Sequence, residues 1–111
     1  QRRDKSGRYI GLGAATYVEG TGIGPFEGAL VRVDETGNIH VAIGACPQGQ
    51  GHETVFAQVA ADTLSVDIED VKVVTGDTDA IPYGWGTLAS RSAVVAGSQV
   101  LCCIGRRPAS C

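Results

Sequence analysis

The chain has 111 residues and a formal net charge of −3, with nine Lys and Arg against twelve Asp and Glu. This length suits one small domain and excludes a complete multi-domain enzyme. The charge balance argues against nucleic acid or an anionic membrane as partner, and no apolar run is long enough to span a bilayer. Because we find no signal peptide, we expect a cytoplasmic protein.

Glycine and cysteine are the informative residue types. The 16 glycines are about twice the usual frequency of ~7%, and many lie beside the motifs described below. The cysteines show no C-x-x-C spacing, so we predict neither a structural zinc site nor any other metal ligand. They are Cys46, Cys102, Cys103 and Cys111.

Residues 8–44 predict one extended strand followed by a loop and a β-hairpin. Residues 8–20 carry apolar side chains with interspersed glycines, which predicts one extended strand, and 20–25 form a loop. Residues 27–34 and 38–44 then alternate and predict a β-hairpin with a turn at 35–38. Its apolar positions are Val31 and Val33 on one face of the first strand, and Ile39, Val41 and Ile43 on an alternating face of the second. His40 falls in the polar register, as an exposed strand residue does.

Residues 52–65 predict a helix. Its apolar stripe consists of Val55, Phe56, Val59, Ala60 and Leu64. A connection at 66–70 leads to a short β-branched strand, Val71 to Thr75, and a glycine-rich loop at 81–88 contains the only tryptophan. A second helix is predicted from Ser90 or Arg91 through Val100. The fold class is therefore α+β, with a small mixed sheet that contains a hairpin and packs against two helices.

The segment Gln48-Gly49-Gln50-Gly51-His52-Glu53-Thr54 lies between a predicted strand and a predicted helix. Glycines there let a ligand approach the main chain, and the helix start leaves backbone N–H groups free. The Gln amides offer donors and acceptors without charge. This combination predicts a site for a polar, anionic cofactor, in which His52 starts the helix or donates to a phosphate.

A second junction, at 89–93, presents another helix start. Hydroxyls from Thr87, Ser90 and Ser92 and the charge of Arg91 could complete a grip on a phosphate. The structural alternative makes Ser90 an N-cap and Arg91 a solvent-facing residue of the first turn. Asp77 and Asp79 follow a strand and suit turn capping, so we assign them no chemistry.

Three motifs together resemble the cofactor-binding part of the large subunit of the molybdenum hydroxylases. They are residues 48–54, the Gly-Asp-Thr-Asp at 76–79 and the segment 83–97. The family includes xanthine dehydrogenase, aldehyde oxidase and carbon monoxide dehydrogenase, and the resemblance covers Tyr9 to Gly97. The chain departs from the family pattern at Cys46-Pro47, where the family usually has small residues.

The resemblance implies a molybdopterin cofactor with molybdenum. Bacterial relatives commonly carry the cytosine dinucleotide form, and the sequence leaves the form without the nucleotide open as the alternative. The residues that the resemblance places at that cofactor are Gln48, Gly49, Gln50, Gly51, His52, Thr54, Ala89, Ser90, Arg91 and Ser92. It implies no catalytic residue in this chain, because the family's glutamate base lies in a stretch further downstream. Gln50 and Ser92 are the foremost candidates.

As function, the resemblance implies part of the cofactor site of an oxidoreductase that oxidises an aldehyde, an N-heterocycle or carbon monoxide using water. Its expected partners are the rest of the large subunit and iron–sulfur and flavin domains or subunits, so we expect no turnover by the chain alone. Two alternatives stay open: a stand-alone module that binds or handles molybdopterin without catalysis, and a scaffold without a ligand. Residues 8–98 form the predicted partial cofactor domain, and 99–111 an atypical tail whose composition suggests a shifted reading frame.

Overall fold

The computed structural model describes residues 2–105. A three-stranded mixed sheet lies at its centre, as the α+β prediction requires. Strand β3 (Ala29–Val33) pairs antiparallel with β4 (Ile39–Ile43), and β4 pairs in parallel with β5 (Val71–Thr75). Strands β1 (Arg2–Arg3) and β2 (Tyr9–Ile10) form a separate antiparallel pair.

The predicted hairpin is confirmed, and its register explains the core. Val31 lies opposite Val41, and Val33 lies opposite Ile39. Residues directly opposite one another share a face of the sheet, so the apolar positions of both strands point to the same side. On the other side, His40 lies opposite Arg32 and its Nε2 is 3.0 Å from an Asp34 carboxylate oxygen.

Helix α1 (His52–Leu64) packs on this apolar face and against helix α2 (Gly97–Gly105). Phe56 and Ala60 of the predicted stripe are buried, while Val59 and Leu64 pack at its margin. Val55 is exposed, so its assignment to the stripe was wrong. The helix also buries Ala57 and Ala61, whose small side chains let neighbouring elements approach closely.

The second helix begins later than predicted and ends later. Ala89 and Ser90 have φ of 45° and 50°, so neither continues a right-handed helix. A π-helical turn at Ser92–Ala96 leads into α2, where Val100 is buried. The helix therefore crosses the predicted boundary between 98 and 99, which stays a prediction. Residues 106–111, with Cys111, lie outside the described residues.

The predicted strand at 8–20 is largely wrong. Only Tyr9–Ile10 is strand, and residues 11–20 are exposed and have no regular structure. A strand needs a neighbour to take its backbone hydrogen bonds, and the described residues provide one for β2 alone. Residues 2–20 form an arm that leaves the sheet. Over residues 2–105, neither helix has the length and apolarity needed to cross a bilayer.

Candidate functional site

Two loops meet because two glycines let their backbones touch. Gly44 follows β4, and Gly84 lies in the loop at 81–88; a Cβ added at Gly84 would lie 2.4 Å from the Gly44 carbonyl oxygen. No residue larger than glycine fits this approach. The Thr87 hydroxyl donates to the Cys46 carbonyl at 2.5 Å and holds the same two loops together.

The space between these loops is a pocket of about 490 Å³, here called the interloop pocket. Both predicted motifs contribute to it, so they converge as the strand-to-helix arrangement suggested. It is lined by Glu19, Gln48, Gln50, His52, Thr87, Leu88, Ala89, Ser90, Ser92 and Ala93. A smaller depression of about 350 Å³ shares Gln48 and His52 with this pocket and is lined by Pro47, Gln48, Gly49, Gly51, His52, Glu53 and Thr54.

The first loop depends on left-handed glycines. Gly49 and Gly51 have φ of 98° and 75°, values that favour glycine over every other residue. Gly51 caps α1 without a side-chain hydrogen bond, so the first-turn N–H groups have no acceptor within the helix. The Gln48 N–H donates to the Gln50 side-chain oxygen at 2.5 Å, which folds the Gln50 amide over its own loop.

His52 is the most unusual side chain in the pocket wall. Only 4% of it is exposed, and neither ring nitrogen has a hydrogen-bond partner within residues 2–105. Its ring lies 5.2 Å from that of Phe56, between centroids. Buried polar atoms nearly always have partners, so a buried imidazole with two unpaired nitrogens is unusual and costs stability.

The structure places the Arg91 guanidinium inside the protein rather than at the pocket. Arg91 is 1% exposed, forms an ion pair with Glu27 and donates to backbone carbonyls. Its charge is therefore turned away from any phosphate in the interloop pocket, contrary to the expectation. The structural alternative of a solvent-facing first-turn residue is wrong as well.

Ala89 and Ser90 adopt left-handed conformations that few residues with a Cβ adopt. The Ser90 hydroxyl donates to a Glu19 carboxylate oxygen at 3.2 Å instead of capping the helix that follows. Arg91 occupies the N-cap position. Two consecutive left-handed residues in the wall of a pocket are a form of strain found at ligand sites.

The lining of the interloop pocket is polar and carries little charge. Within the part of the chain that the structure describes, no lysine or arginine lines it, and Glu19 adds a negative charge at its mouth. Its donors are amides, hydroxyls, an imidazole and the start of α1. These groups suit a ligand with many polar atoms, and Glu19 opposes a bare anion.

Other predicted features take structural roles or none. The Asp77 carboxylate accepts from the N–H groups of Asp79 and Ala80 at 2.9 and 3.2 Å, so it caps the turn after β5. No group of three or more His, Cys, Asp or Glu residues that could hold a metal ion occurs between residues 2 and 105.

Sequence reasoning missed Glu19 and Glu27. Glu19 lies in the arm, where no motif marks it, and reaches the pocket only through the fold. Glu27 falls in the predicted hairpin strand, but it precedes β3 and is buried against Arg91. A lone glutamate in an apolar stretch gives no signal from sequence, because its partner lies 64 residues away.

Comparisons with known proteins agree with this arrangement. Residues 1–105 match the family described as the Molybdopterin cofactor-binding domain. The chain is 39% identical over 108 residues to the nicotine 6-hydroxylase large subunit of Paenarthrobacter nicotinovorans, covering 86% of the chain and 13% of that protein. It is 35% identical over 108 residues to the carbon monoxide dehydrogenase large chain of Afipia carboxidovorans, covering 87% and 13%.

Solved structures give the same result. A crystal structure of Cu,Mo-CO dehydrogenase superposes with a TM-score of 0.67 and 40% identity, over 69% of this chain and 10% of that one. Quinoline 2-oxidoreductase from Pseudomonas putida 86 gives a TM-score of 0.64 and 43% identity, over 70% and 10%. The chain thus spans 13% or less of each of these relatives. It belongs to the molybdopterin cofactor-binding domain family of the molybdenum hydroxylases.

Proposed function

We propose that the interloop pocket holds the pterin and phosphate part of a molybdopterin cofactor. The observation that carries this proposal is the convergence of residues 48–52 and 87–93 on one polar pocket, whose wall contains His52, a buried imidazole without a hydrogen-bond partner among the described residues. Pterin and phosphate atoms bound against this wall would lie beside the amides and hydroxyls that line the same pocket. The unsatisfied N–H groups at the start of α1 support the same ligand.

The residues present fit this group. Gln48, Gln50, Ser90 and Ser92 contribute neutral donors and acceptors to the pocket, and Ala89 contributes main chain. Gly49, Gly51 and Thr54 line the adjacent depression, which shares Gln48 and His52 with the pocket, and would contact the ligand there. Arg91 acts on the ligand only through the position of its neighbours.

We further propose that this site works as part of a larger oxidoreductase. The similar proteins are named as a large subunit and a large chain of a hydroxylase and a dehydrogenase. When bound, molybdenum supplies the redox chemistry that oxidises a substrate carbon with oxygen from water. The chain's own residues bind and orient the cofactor, while the base, the iron–sulfur centres and the flavin belong to other parts of the enzyme. A cytoplasmic location stays a prediction.

Equilibrium dialysis of the full chain under anaerobic conditions tests the proposal. The ligand is molybdopterin cytosine dinucleotide, with molybdopterin lacking the nucleotide as a second ligand. We expect retention of both, with the dinucleotide held more tightly. Gln50→Ala and Ser92→Ala should each weaken binding about tenfold, since each removes groups that face the pocket.

Arg32→Ala is the matched control, because Arg32 lies on the face of the sheet away from the helices. Its affinity should equal that of the unchanged chain. Loss of binding only in the pocket variants supports the site. Equal affinity in all variants, or no retention of either ligand, would rule it out. A preference for the form without the nucleotide would reject the dinucleotide assignment alone.

A further inference from the structure

A buried ion pair behind the interloop pocket joins three separate segments of the chain. Glu27 and Arg91 are each 1% exposed and contact one another directly. The Glu27 carboxylate also accepts from the backbone N–H groups of Trp85 and Gly86, at 2.9 and 3.3 Å. It therefore fixes the glycine-rich loop immediately before the residues that line the pocket.

The Arg91 guanidinium, the other half of the ion pair, donates hydrogen bonds to backbone carbonyls of two separate segments. Its Nε donates to the Ile23 carbonyl at 3.1 Å, and its Nη2 donates to the Pro25 carbonyl at 2.5 Å. Its Nη1 donates to the Gly86 carbonyl at 2.9 Å and to Glu27. The guanidinium carbon also lies 4.7 Å from the centre of the Trp85 ring. Few of its donors remain for anything else.

The position of Arg91 in the chain connects this pair to the pocket. Ser90 and Ser92, on either side of it, line the interloop pocket, while Arg91 is buried and does not line it. Ala89 and Ser90 hold left-handed conformations, which persist only where the surrounding structure fixes them. Arg91 follows this turn directly and is held by its ion pair with Glu27 and by hydrogen bonds to backbone carbonyls.

We propose that Glu27 and Arg91 are positioning residues that hold the 87–92 segment in its ligand-binding conformation. This proposal rests on the proposed function and adds that the site depends on a pair that does not touch the ligand. The pair, here called the clamp, transmits its effect through the left-handed turn at 89–90. A planar guanidinium can reach carboxylate and carbonyl oxygens at once, whereas an ammonium on a flexible stem cannot reproduce that fork.

Arg91→Lys in the full chain tests the clamp, because it keeps the charge and removes the fork. We expect cofactor affinity to fall at least tenfold in anaerobic dialysis. The fluorescence emission of Trp85, the only tryptophan, should move to longer wavelength as its ring loses the guanidinium. Arg32→Lys, at an exposed position of β3, is the control and should change neither signal.

A double variant, Glu27→Met with Arg91→Met, separates positioning from folding. Removing both charges leaves no unpaired ion in the interior, so the fold should persist in far-ultraviolet circular dichroism. We expect this variant to bind the cofactor at least tenfold more weakly than the unchanged chain. Folded protein with weak binding would support positioning, since a purely structural role predicts that binding returns with the fold.

Either of two results would overturn the clamp. One is unchanged affinity in Arg91→Lys, and the other is full affinity in the double variant. If the unchanged chain itself retains no cofactor, the proposed function fails. The clamp, which rests on that function, then falls with it, whereas failure of the clamp alone shows as full affinity of Arg91→Lys beside an unchanged chain that binds.

Discussion

The imidazole of His52 lies inside the protein with both nitrogens unpaired among residues 2–105. Leaving a polar group buried and unpaired costs about 1–3 kcal/mol. Such a residue is expected where a protein gives up stability for binding.

His52→Leu tests this interpretation. Leucine has a similar volume and needs no hydrogen bond, so the free energy of unfolding should rise by about 1 kcal/mol. Cofactor binding in anaerobic dialysis should fall at least tenfold. Urea denaturation followed by circular dichroism measures the first quantity. Gln58→Leu, at an exposed position of α1, controls for the effect of leucine in a helix.

A loss of stability in His52→Leu, with binding unchanged, would contradict this interpretation. His52 would then be an ordinary core residue.

Sequence alone could predict the residues that line the pocket better than their orientation. Glycine spacing identified the loop at 48–51, since only glycine adopts its left-handed angles freely. Arg91 was misjudged because a charged residue between two serines looks solvent-exposed or ligand-facing. Its actual partners, Glu27 and the carbonyls of 23–26, are distant in sequence.

At the scale of elements, the hairpin turn is held by one carboxylate. Asp34 accepts from the Thr36 hydroxyl at 2.6 Å and from the N–H groups of Thr36 and Asn38. The hydrogen bond from Thr36, followed by that with His40, holds the pKa of Asp34 well below its usual range. A lowered folded pKa stabilises the hairpin above the ordinary pKa of ~4, and that stability is lost as the pH falls further.

Asp34→Asn should therefore lower the stability of the chain at pH 7. It should also flatten the loss of stability between about pH 4 and more acid values, where the unchanged chain still gains from its ionised Asp34. Urea denaturation at a series of pH values measures both effects. Glu35→Gln, in the same turn, removes a charge without removing those hydrogen bonds. An Asp34→Asn variant as stable as the control at pH 7 would contradict the account.

The contact between Gly44 and Gly84 determines whether the two motif loops meet. Gly84→Ala should lower the free energy of unfolding by about 1–3 kcal/mol, because its Cβ would collide with backbone. Gly97→Ala is the matched control: it has helical angles and open space around a Cβ. It should raise stability by about 0.5–1 kcal/mol. Thermal or urea denaturation of both variants measures the difference.

A neutral Gly84→Ala would mean that the two loops tolerate a larger separation. The glycine contact would then not determine the geometry of the pocket.

At the scale of the whole molecule, the helices and strands that form the core were predictable from sequence, whereas the conformation of the arm at residues 2–20 was not. Alternation and helical spacing gave the hairpin, β5 and α1, because each buries one face within this chain. The arm failed as a strand, and it leaves Leu12, Tyr17 and Val18 almost fully exposed. Because this arm leaves the sheet, the radius of gyration is 19.6 Å, whereas a compact chain of this length is expected to have about 13 Å.

The place where the cofactor binds is the central prediction. Amide chemical shifts of the isotope-labelled full chain, recorded as molybdopterin cytosine dinucleotide is added without oxygen, locate it directly. We predict changes clustered at 48–54 and 87–93, with Arg32, His40 and Lys72 on the far face of the sheet unmoved. Changes confined to the far face, or none at saturating cofactor, would contradict the account.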